Sequence, residues 1–422
     1  AGLLENPKAR VTLNINGILF DLWRKFGQED VIEMVGELFG RGQIELTGSA
    51  KFHPLLPKLP EDEIKRQIEL NGETLRHYIG DTYQPKGFFP PEMAYGPNLA
   101  KVVKEMGFSW IIAEELSKPG PVAYDRIYQE KESGLAIFFR ERGISYQILS
   151  GQLGTDQLFL EALGERVGKD EYLLTAMDGE TFGHHRPGMD KTLMELLKLE
   201  EVPTIRLSDL PERFPRVEKV ETRPATWALM EEDLEKKVPF ARWEDPDNEI
   251  HKLQWELTDL AIRAVRQSEN PGKAREMLDR AVHSDQYWWA SARPWWSLEM
   301  IERGAYELKE TVLSVPDASD ETKTQAQNLY YKIITTGFAW QRSGKVEELA
   351  RKEDEEMRMR TDEAFPDLSQ KELKKMIAHI KEEMEIVVKH QEYERAALLR
   401  DRIKELRVYL DGEAGKASSA DG

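Results

Sequence analysis

Cysteine is absent from all 422 residues, which excludes a disulfide framework and a thiolate metal site and suits a reducing compartment. No apolar run approaches the roughly 18 residues a membrane helix needs. The opening stretch Ala1 to Arg10 also lacks the basic-then-apolar order of a secretory signal. A soluble, cytoplasmic protein is therefore expected. Positive charge is scarce: 59 Lys and Arg stand against 77 Asp and Glu, a formal charge of −18. Such a surface repels a phosphate backbone or an anionic membrane and suits a neutral ligand. The first residue is Ala and not Met, so the chain reads as processed, or as cut from something longer.

What is present is an ordinary globular composition, with 40% hydrophobic residues, ample for a large core. Short β-branched or aromatic runs alternate with helical patterns up to about residue 210: Val11-Thr-Leu-Asn-Ile-Asn16, Ile44-Glu-Leu-Thr47, Trp110-Ile-Ile-Ala113, Leu135-Ala-Ile-Phe-Phe139 and Tyr172-Leu-Leu-Thr-Ala-Met177. Alternation of this kind predicts an α/β fold with a parallel sheet or barrel. Polar groups follow the runs, as Asn16, Glu114, Glu115 and Asp178 do, and strand carboxyl ends are where such folds keep their chemistry. From about Asn248 the period becomes helical, with Ile250, Leu253, Leu257, Leu260 and Ala264 on one face. Asp247 or Asn248 is the expected N-cap. The expected domains are 1–225, a barrel; 226–365, a helical bundle completing the cleft; 366–411, a charged helical hairpin; and 412–422, a small polar disordered tail.

Two segments carry the chemistry. In Ala176-Met-Asp178-Gly-Glu180-Thr-Phe-Gly-His184-His185 an apolar run ends at Asp178 and turns at two glycines. In Gly87-Phe-Phe-Pro-Pro-Glu92-Met-Ala-Tyr95 the two prolines end a strand directly before Glu92, because they cannot donate to a ladder. Two carboxyls at one rim are the minimal equipment for glycoside hydrolysis. By spacing alone, though, 77 acidic residues offer many pairs that are merely solvated or salt-bridged.

The first of these carboxyl segments in chain order, Gly87 to Tyr95, resembles the W-L-P-E-C-A/G-Y motif of glycoside hydrolase family 57, and Asp178 to Gly183 resembles its D-x-E-x-F-G motif. Gly42-Gln-Ile-Glu45-Leu-Thr47 is similar to its G-N-V-E-V-T motif, and Ser284-Asp285-Gln-Tyr-Trp288 to its S-D-W motif. The resemblance implies an incomplete (β/α)7 barrel followed by an α-helical bundle, and a retaining enzyme acting on α-glucans without cofactor or metal. Glu92 carries over as nucleophile and Asp178 as general acid/base. Glu45, His53, Phe89, Tyr95, Glu180, His184, Asp285 and Trp288 are expected to line the substrate site. The family's opening H-Q-P-type motif has no counterpart, which predicts an N-terminally incomplete barrel. Phe88 or Phe89 stands where the family usually has Trp, and Met93 where it often has Cys.

The competing readings come from other residues. Trp288, Trp289, Trp295 and Trp296 could stack on sugar rings or anchor the helical domain. His184 and His185 beside Asp190 raise a metal-dependent polysaccharide deacetylase, with His53, His251 or His283 needed as a further ligand. A non-catalytic glycan-binding or protein-interaction protein on a truncated barrel is the remaining alternative. Finally, Tyr393-Glu-Arg-Ala-Ala-Leu-Leu-Arg400-Asp-Arg-Ile403 resembles the UVR motif, a small helical hairpin, which implies a protein partner and not a nucleic acid.

Overall fold

In the computed structural model the described residues are 2–293, 295–362, 369–389 and 392–420, and within these the side chains of 354–362, 394 and 411–420 are not described. The expected boundary at 365/366 lies outside the described residues, as do the last two residues of the expected tail.

Seven strands are found among the described residues. β1 (Val11–Leu13) pairs in parallel with β2 (Ile44–Leu46). A five-stranded sheet follows in the order β3 (Gly87–Phe88), β4 (Trp110–Glu114), β6 (Ala136–Arg140), β5 (Ile127–Glu130) and β7 (Val217–Val220). Gly48 N–H donates to the Gly87 carbonyl at 2.8 Å and Phe89 N–H to the Gly48 carbonyl at 2.9 Å, joining the two pieces into one wall. All neighbours run parallel except β5 and β6, which form an antiparallel pair, so the sheet is mixed. β5 and β7 were not apparent from the sequence runs.

Successive residues of β4 and β6 point to opposite sides. Trp110, Ile112 and Phe138 fill the inside of the wall with Leu174 and Leu207, while Ile111, Ala113, Ile137 and Phe139 face the outer helices. Strands buried on both faces read as continuous apolar runs, which is why these two were legible. Gly87 has a packing reason: a Cβ there would stand 1.9 Å from the Trp110 ring, so only glycine lets the indole lie across β3.

The expected strand Tyr172–Met177 is corrected. Its backbone bonds in turn to different partners, Tyr172 N–H to the Tyr124 carbonyl and Glu141 N–H to the Leu174 carbonyl, and no ladder forms. The neighbouring β6 ends at Arg140, where the helix Arg142–Ser150 begins. Tyr172 and Leu174 are buried inside the wall, while Leu173 and Met177 are half-buried against a second apolar cluster, so burial and not strand pairing explains the run.

The helical domain comprises Glu249–Gln267, Lys273–Ala281, Leu298–Leu313, Asp320–Ser343 and Lys345–Asp362. Asn248 caps the first, accepting from the Ile250 and His251 N–H groups. Two bidentate ion pairs dock the domain on the helix Glu61–Ile79: Arg66 with Asp279 and Arg275 with Glu63. The C-terminal hairpin is Gln370–Lys389 and Tyr393–Ala420. Its helix continues to Ala420, through residues that composition alone assigns to a polar tail. The hairpin's apolar face is not free: Leu373, Ile377, Ile380, Leu399 and Ile403 pack against barrel residues between Ile144 and Met189. No described helix is long and apolar enough to cross a membrane.

Candidate active site

Pro90 and Pro91 close β3, and the chain then makes a single tight turn, Pro91–Met93, in which Glu92 has φ +58° and Met93 φ +44°. Non-glycine residues there cost about 1–3 kcal/mol each and persist only when the surroundings enforce them. Here Met93 is buried inside the wall, and Tyr95 exchanges backbone hydrogen bonds with Ala225. The turn projects the Glu92 carboxylate, 13% exposed, into a ring of donors. The Trp227 indole N–H donates to Oε2 at 2.9 Å, the Ser284 hydroxyl to Oε1 at 2.9 Å, and His53 Nε2 lies 3.4 Å from Oε1.

His53 is also in the left-handed region, at φ +56°. Its carbonyl accepts the Ser284 N–H at 2.9 Å, so the helical domain clamps the loop that aims its ring. Asn16 Nδ2, which donates to the Ala50 carbonyl at 2.8 Å, faces His53 Nδ1 at 3.4 Å. A donor at Nδ1 assigns the proton to Nε2, toward Glu92. Behind Asn16, its amide oxygen accepts from Asn14, whose own oxygen accepts from Thr47. Burial alone would raise the Glu92 pKa, but the hydrogen bonds and charge from His53, with Trp227 and Ser284, bring it below its usual value. For His53, burial opposes the proton, yet Glu92 outweighs it and the pKa rises.

Asp178 follows the buried run Tyr172 to Met177 and opens the short turn Gly179–Thr181. Its setting is the reverse. Solvent reaches the residue, but the surrounding protein removes enough water that burial, followed by the charges of Glu92 and Glu180, holds its pKa above the usual range. The backbone just before it is anchored from below: Arg140 donates to the Ala176 carbonyl at 3.3 Å, and the Ala176 N–H donates to Ser145 at 3.3 Å. Arg140 in turn pairs with fully buried Glu114 at 3.0 Å, as does Arg142 at 3.1 Å. The arginines flank Tyr146, whose hydroxyl donates to the Trp227 carbonyl at 2.8 Å. One buried charged network therefore supports both the Asp178 segment and the tryptophan that holds Glu92.

The other expected residues divide. Trp288 stands 5.3 Å from Trp227 ring to ring and 6.3 Å from Trp295, which is 47% exposed, so an aromatic wall leads from Glu92 to solvent. Phe89 packs inside the wall, its carbonyl accepting from Ser49. Glu180 is exposed and acts on Asp178 through charge. Asp285 acts electrostatically on His53 but pairs more closely with His283, at 3.9 Å; the direct contact with Glu92 comes from Ser284. Three more of the expected residues are placed as follows. Both Glu45 oxygens are engaged, by Thr12 and Ser208. Tyr95 is fully buried against the outer helices, bonded to Thr222 at 2.7 Å. His184 is exposed beside His185, ring centroids 5.1 Å apart, with its N–H bonded back to Glu180. Among the described residues no three His, Asp or Glu side chains converge as a metal site would require. Trp227 was missed outright. Its signal is positional: it lies just beyond the end of β7, and β7 itself was not apparent.

The sequence model of glycosyl hydrolase family 57 matches residues 2–223, and that of the UvrB/uvrC motif matches 374–408. A putative alpha-amylase of Methanocaldococcus jannaschii is 27% identical over 297 residues, 66% of this chain and 61% of that protein. An alpha-amylase of Pyrococcus horikoshii is 28% identical over 113 residues, 27% of this chain and 17% of that protein. The chain thus spans less than two thirds of the length of these relatives. Among solved structures, the 4-alpha-glucanotransferase of Thermococcus litoralis superposes with a TM-score of 0.59 at 17% identity, covering 74% of this chain and 52% of that one. The branching enzyme of Pyrococcus horikoshii does so with a TM-score of 0.52 at 18% identity, covering 74% of each. These likenesses establish the shared fold, a barrel-derived sheet with a helical region behind it. Matched over more than half of its 422 residues, the chain belongs to glycosyl hydrolase family 57.

Proposed function

We propose that this protein cleaves or rearranges α-glucans with retention of configuration, Glu92 acting as nucleophile and Asp178 as acid/base. The observation that carries the reading is the opposite setting of two neighbouring carboxyls: His53, Trp227 and Ser284 converge on Glu92, outweigh its burial and lower its pKa, while burial, with the charges of Glu92 and Glu180, raises the pKa of Asp178. Pairs pushed apart in this way divide nucleophile from acid. Glu92 attacks the anomeric carbon as the glycosidic bond breaks, and Asp178 gives its proton to the departing oxygen. Asp178 then removes a proton from water, or from an acceptor sugar hydroxyl, which displaces Glu92 from the covalent intermediate. The Trp227–Trp288–Trp295 wall supplies faces for neutral sugar rings, in keeping with the chain's net charge of −18.

The test is incubation of soluble starch and maltooligosaccharides with the wild type and with Glu92→Ala, resolving products by size and linkage. Shortened or redistributed chains that vanish in the variant support the reading, and the product pattern separates hydrolysis, disproportionation and branching. Products unchanged by Glu92→Ala would overturn it.

A further inference from the structure

The sequence offers the hairpin as a docking module for another protein, yet its buried face grips the segment that follows Asp178. From Asp178 to Gly188 the chain is a succession of tight turns: Thr181 N–H bonds to the Asp178 carbonyl at 3.1 Å, His185 N–H to the Glu180 carbonyl at 2.7 Å, and Met189 N–H to the Arg186 carbonyl at 3.1 Å. Turns of this kind hold their own shape but do not fix themselves to the barrel. Arg186 Nε makes one tie to the barrel, donating to the Leu149 carbonyl at 2.8 Å, and the hairpin makes another. Glu383, only 5% exposed, accepts the Gly188 N–H at 2.8 Å. Its other oxygen is held by Arg395, from the second hairpin helix, at 2.6 Å. Gly188 has φ +87°, and a Cβ there would meet the Ile380 side chain at 2.9 Å, so glycine lets the turn pack against the hairpin. Met177 and Phe182, on either side of Asp178, pack against the same apolar cluster as Ile380 and Leu399.

We propose that the C-terminal hairpin is a positioning element of the active site, in which Glu383, through Gly188, holds the 178–188 segment so that Asp178 stays aimed at the bond being cleaved. The inference rests on Asp178 being the acid/base. Another of the hairpin's polar anchors provides a contrast within the same element. Buried Glu372 accepts from Thr155 at 2.5 Å, at the start of the helix Asp156–Leu163, outside the turns that carry Asp178. Both anchors tie the hairpin down, but one of them is connected to the acid.

The experiment uses the full chain and two substrates: a maltooligosaccharide, whose leaving oxygen needs a proton, and an α-maltosyl fluoride, whose leaving fluoride does not. Glu383→Ala is expected to lower kcat on the maltooligosaccharide about 10- to 100-fold, as misplacement of a catalytic group does, with little change in KM. The burst of fluoride release should stay close to wild type. Glu383→Gln, which keeps an oxygen for the Gly188 N–H, should recover most of the loss, and Arg395→Met, the milder lesion should Glu383→Ala not fold, should give an intermediate effect. Glu372→Ala should lower Tm without this selective loss. Hydrogen exchange should quicken over 177–190 in Glu383→Ala and not in Glu372→Ala. Equal losses on both substrates, or equal behaviour of the two glutamate variants, would overturn the positioning role. Asp178→Ala separates the two claims: if it fails to discriminate between the substrates, the acid assignment falls, and if it discriminates while Glu383→Ala does not, only the hairpin's role falls.

Discussion

Glu92 and Asp178 act on one another through charge but are built differently. Glu92 sits on strained backbone, is 13% exposed, and is met by groups from three separate parts of the chain, His53, Trp227 and Ser284. Asp178 is open to solvent, and among the described residues no side chain hydrogen-bonds its carboxyl; beyond burial, the charges of Glu92 and Glu180 act on it, opposed by His53 and His185. The contrast follows from the work proposed for each. A nucleophile must be ionised and fixed at one point, which donors and an over-determined turn provide. An acid/base must release and regain a proton in each cycle, and partners that stabilised its anion would make it a poorer acid.

The largest break in that comparison is removal of the nucleophile. Glu92→Gln should lower kcat on starch on the order of 10⁵-fold, as loss of a covalent-catalysis nucleophile does elsewhere, and mass spectrometry should detect no glycosyl adduct. Asp178→Asn should cost less, about 10²- to 10⁴-fold, and should also erase the basic limb of the pH–kcat profile. If the two variants lost activity equally and kept both limbs, the division of labour would be wrong.

Trp227→Phe is a finer cut. It keeps an aromatic face for the wall but deletes one hydrogen bond to an ionised carboxylate, a bond worth about 1.5–3 kcal/mol, so kcat should fall about 10- to 100-fold. The lost donor was lowering the Glu92 pKa, so that pKa rises in the variant. Glu92 is then protonated at a higher pH, and the acid limb of the profile moves upward while the basic limb stays.

How much of this was legible in the sequence depended on whether the cause was local. Glu92 and Asp178 stand beside prolines and glycines that force turns wherever the chain lies, but the family motifs, and not the spacing, singled them out among 77 acidic residues. β4 and β6 were found because burial on both faces makes them uniformly apolar. β5 and β7, Ile127-Tyr-Gln-Glu130 and Val217-Glu-Lys-Val220, mix polar with apolar residues, with Glu130 buried and Val217 and Lys219 exposed, and so the loop bearing Trp227 had no strand to mark it. Tyr172–Met177 failed the opposite way, since an apolar run records burial and not hydrogen bonding. Tyr95 and Glu45 lie in matched motifs yet are engaged elsewhere, by Thr222 and by Thr12 and Ser208, because a motif fixes the chain and not the partners its side chains find. The hold of Glu383 on Gly188 joins positions 195 residues apart, and nothing in either neighbourhood announces it.

The smallest expected effect tests the electrostatic half of the comparison alone. Glu180 is exposed and touches neither carboxyl by hydrogen bond, but its charge helps to raise the Asp178 pKa. In Glu180→Gln that contribution disappears and the Asp178 pKa falls toward its ordinary value. The protonated acid is then depleted at a lower pH, so the basic limb of the kcat profile moves down. Glu92, whose pKa is set by burial against His53, Trp227 and Ser284, keeps its acid limb. Because an exposed charge is screened by salt within a Debye length of about 10 Å at 0.1 M, raising ionic strength in the wild type should move the same limb in the same direction and should move it less in the variant. A displacement of both limbs, or an upward shift of the basic one, would mean that Glu180 acts through the shape of the Asp178 turn and not through its charge.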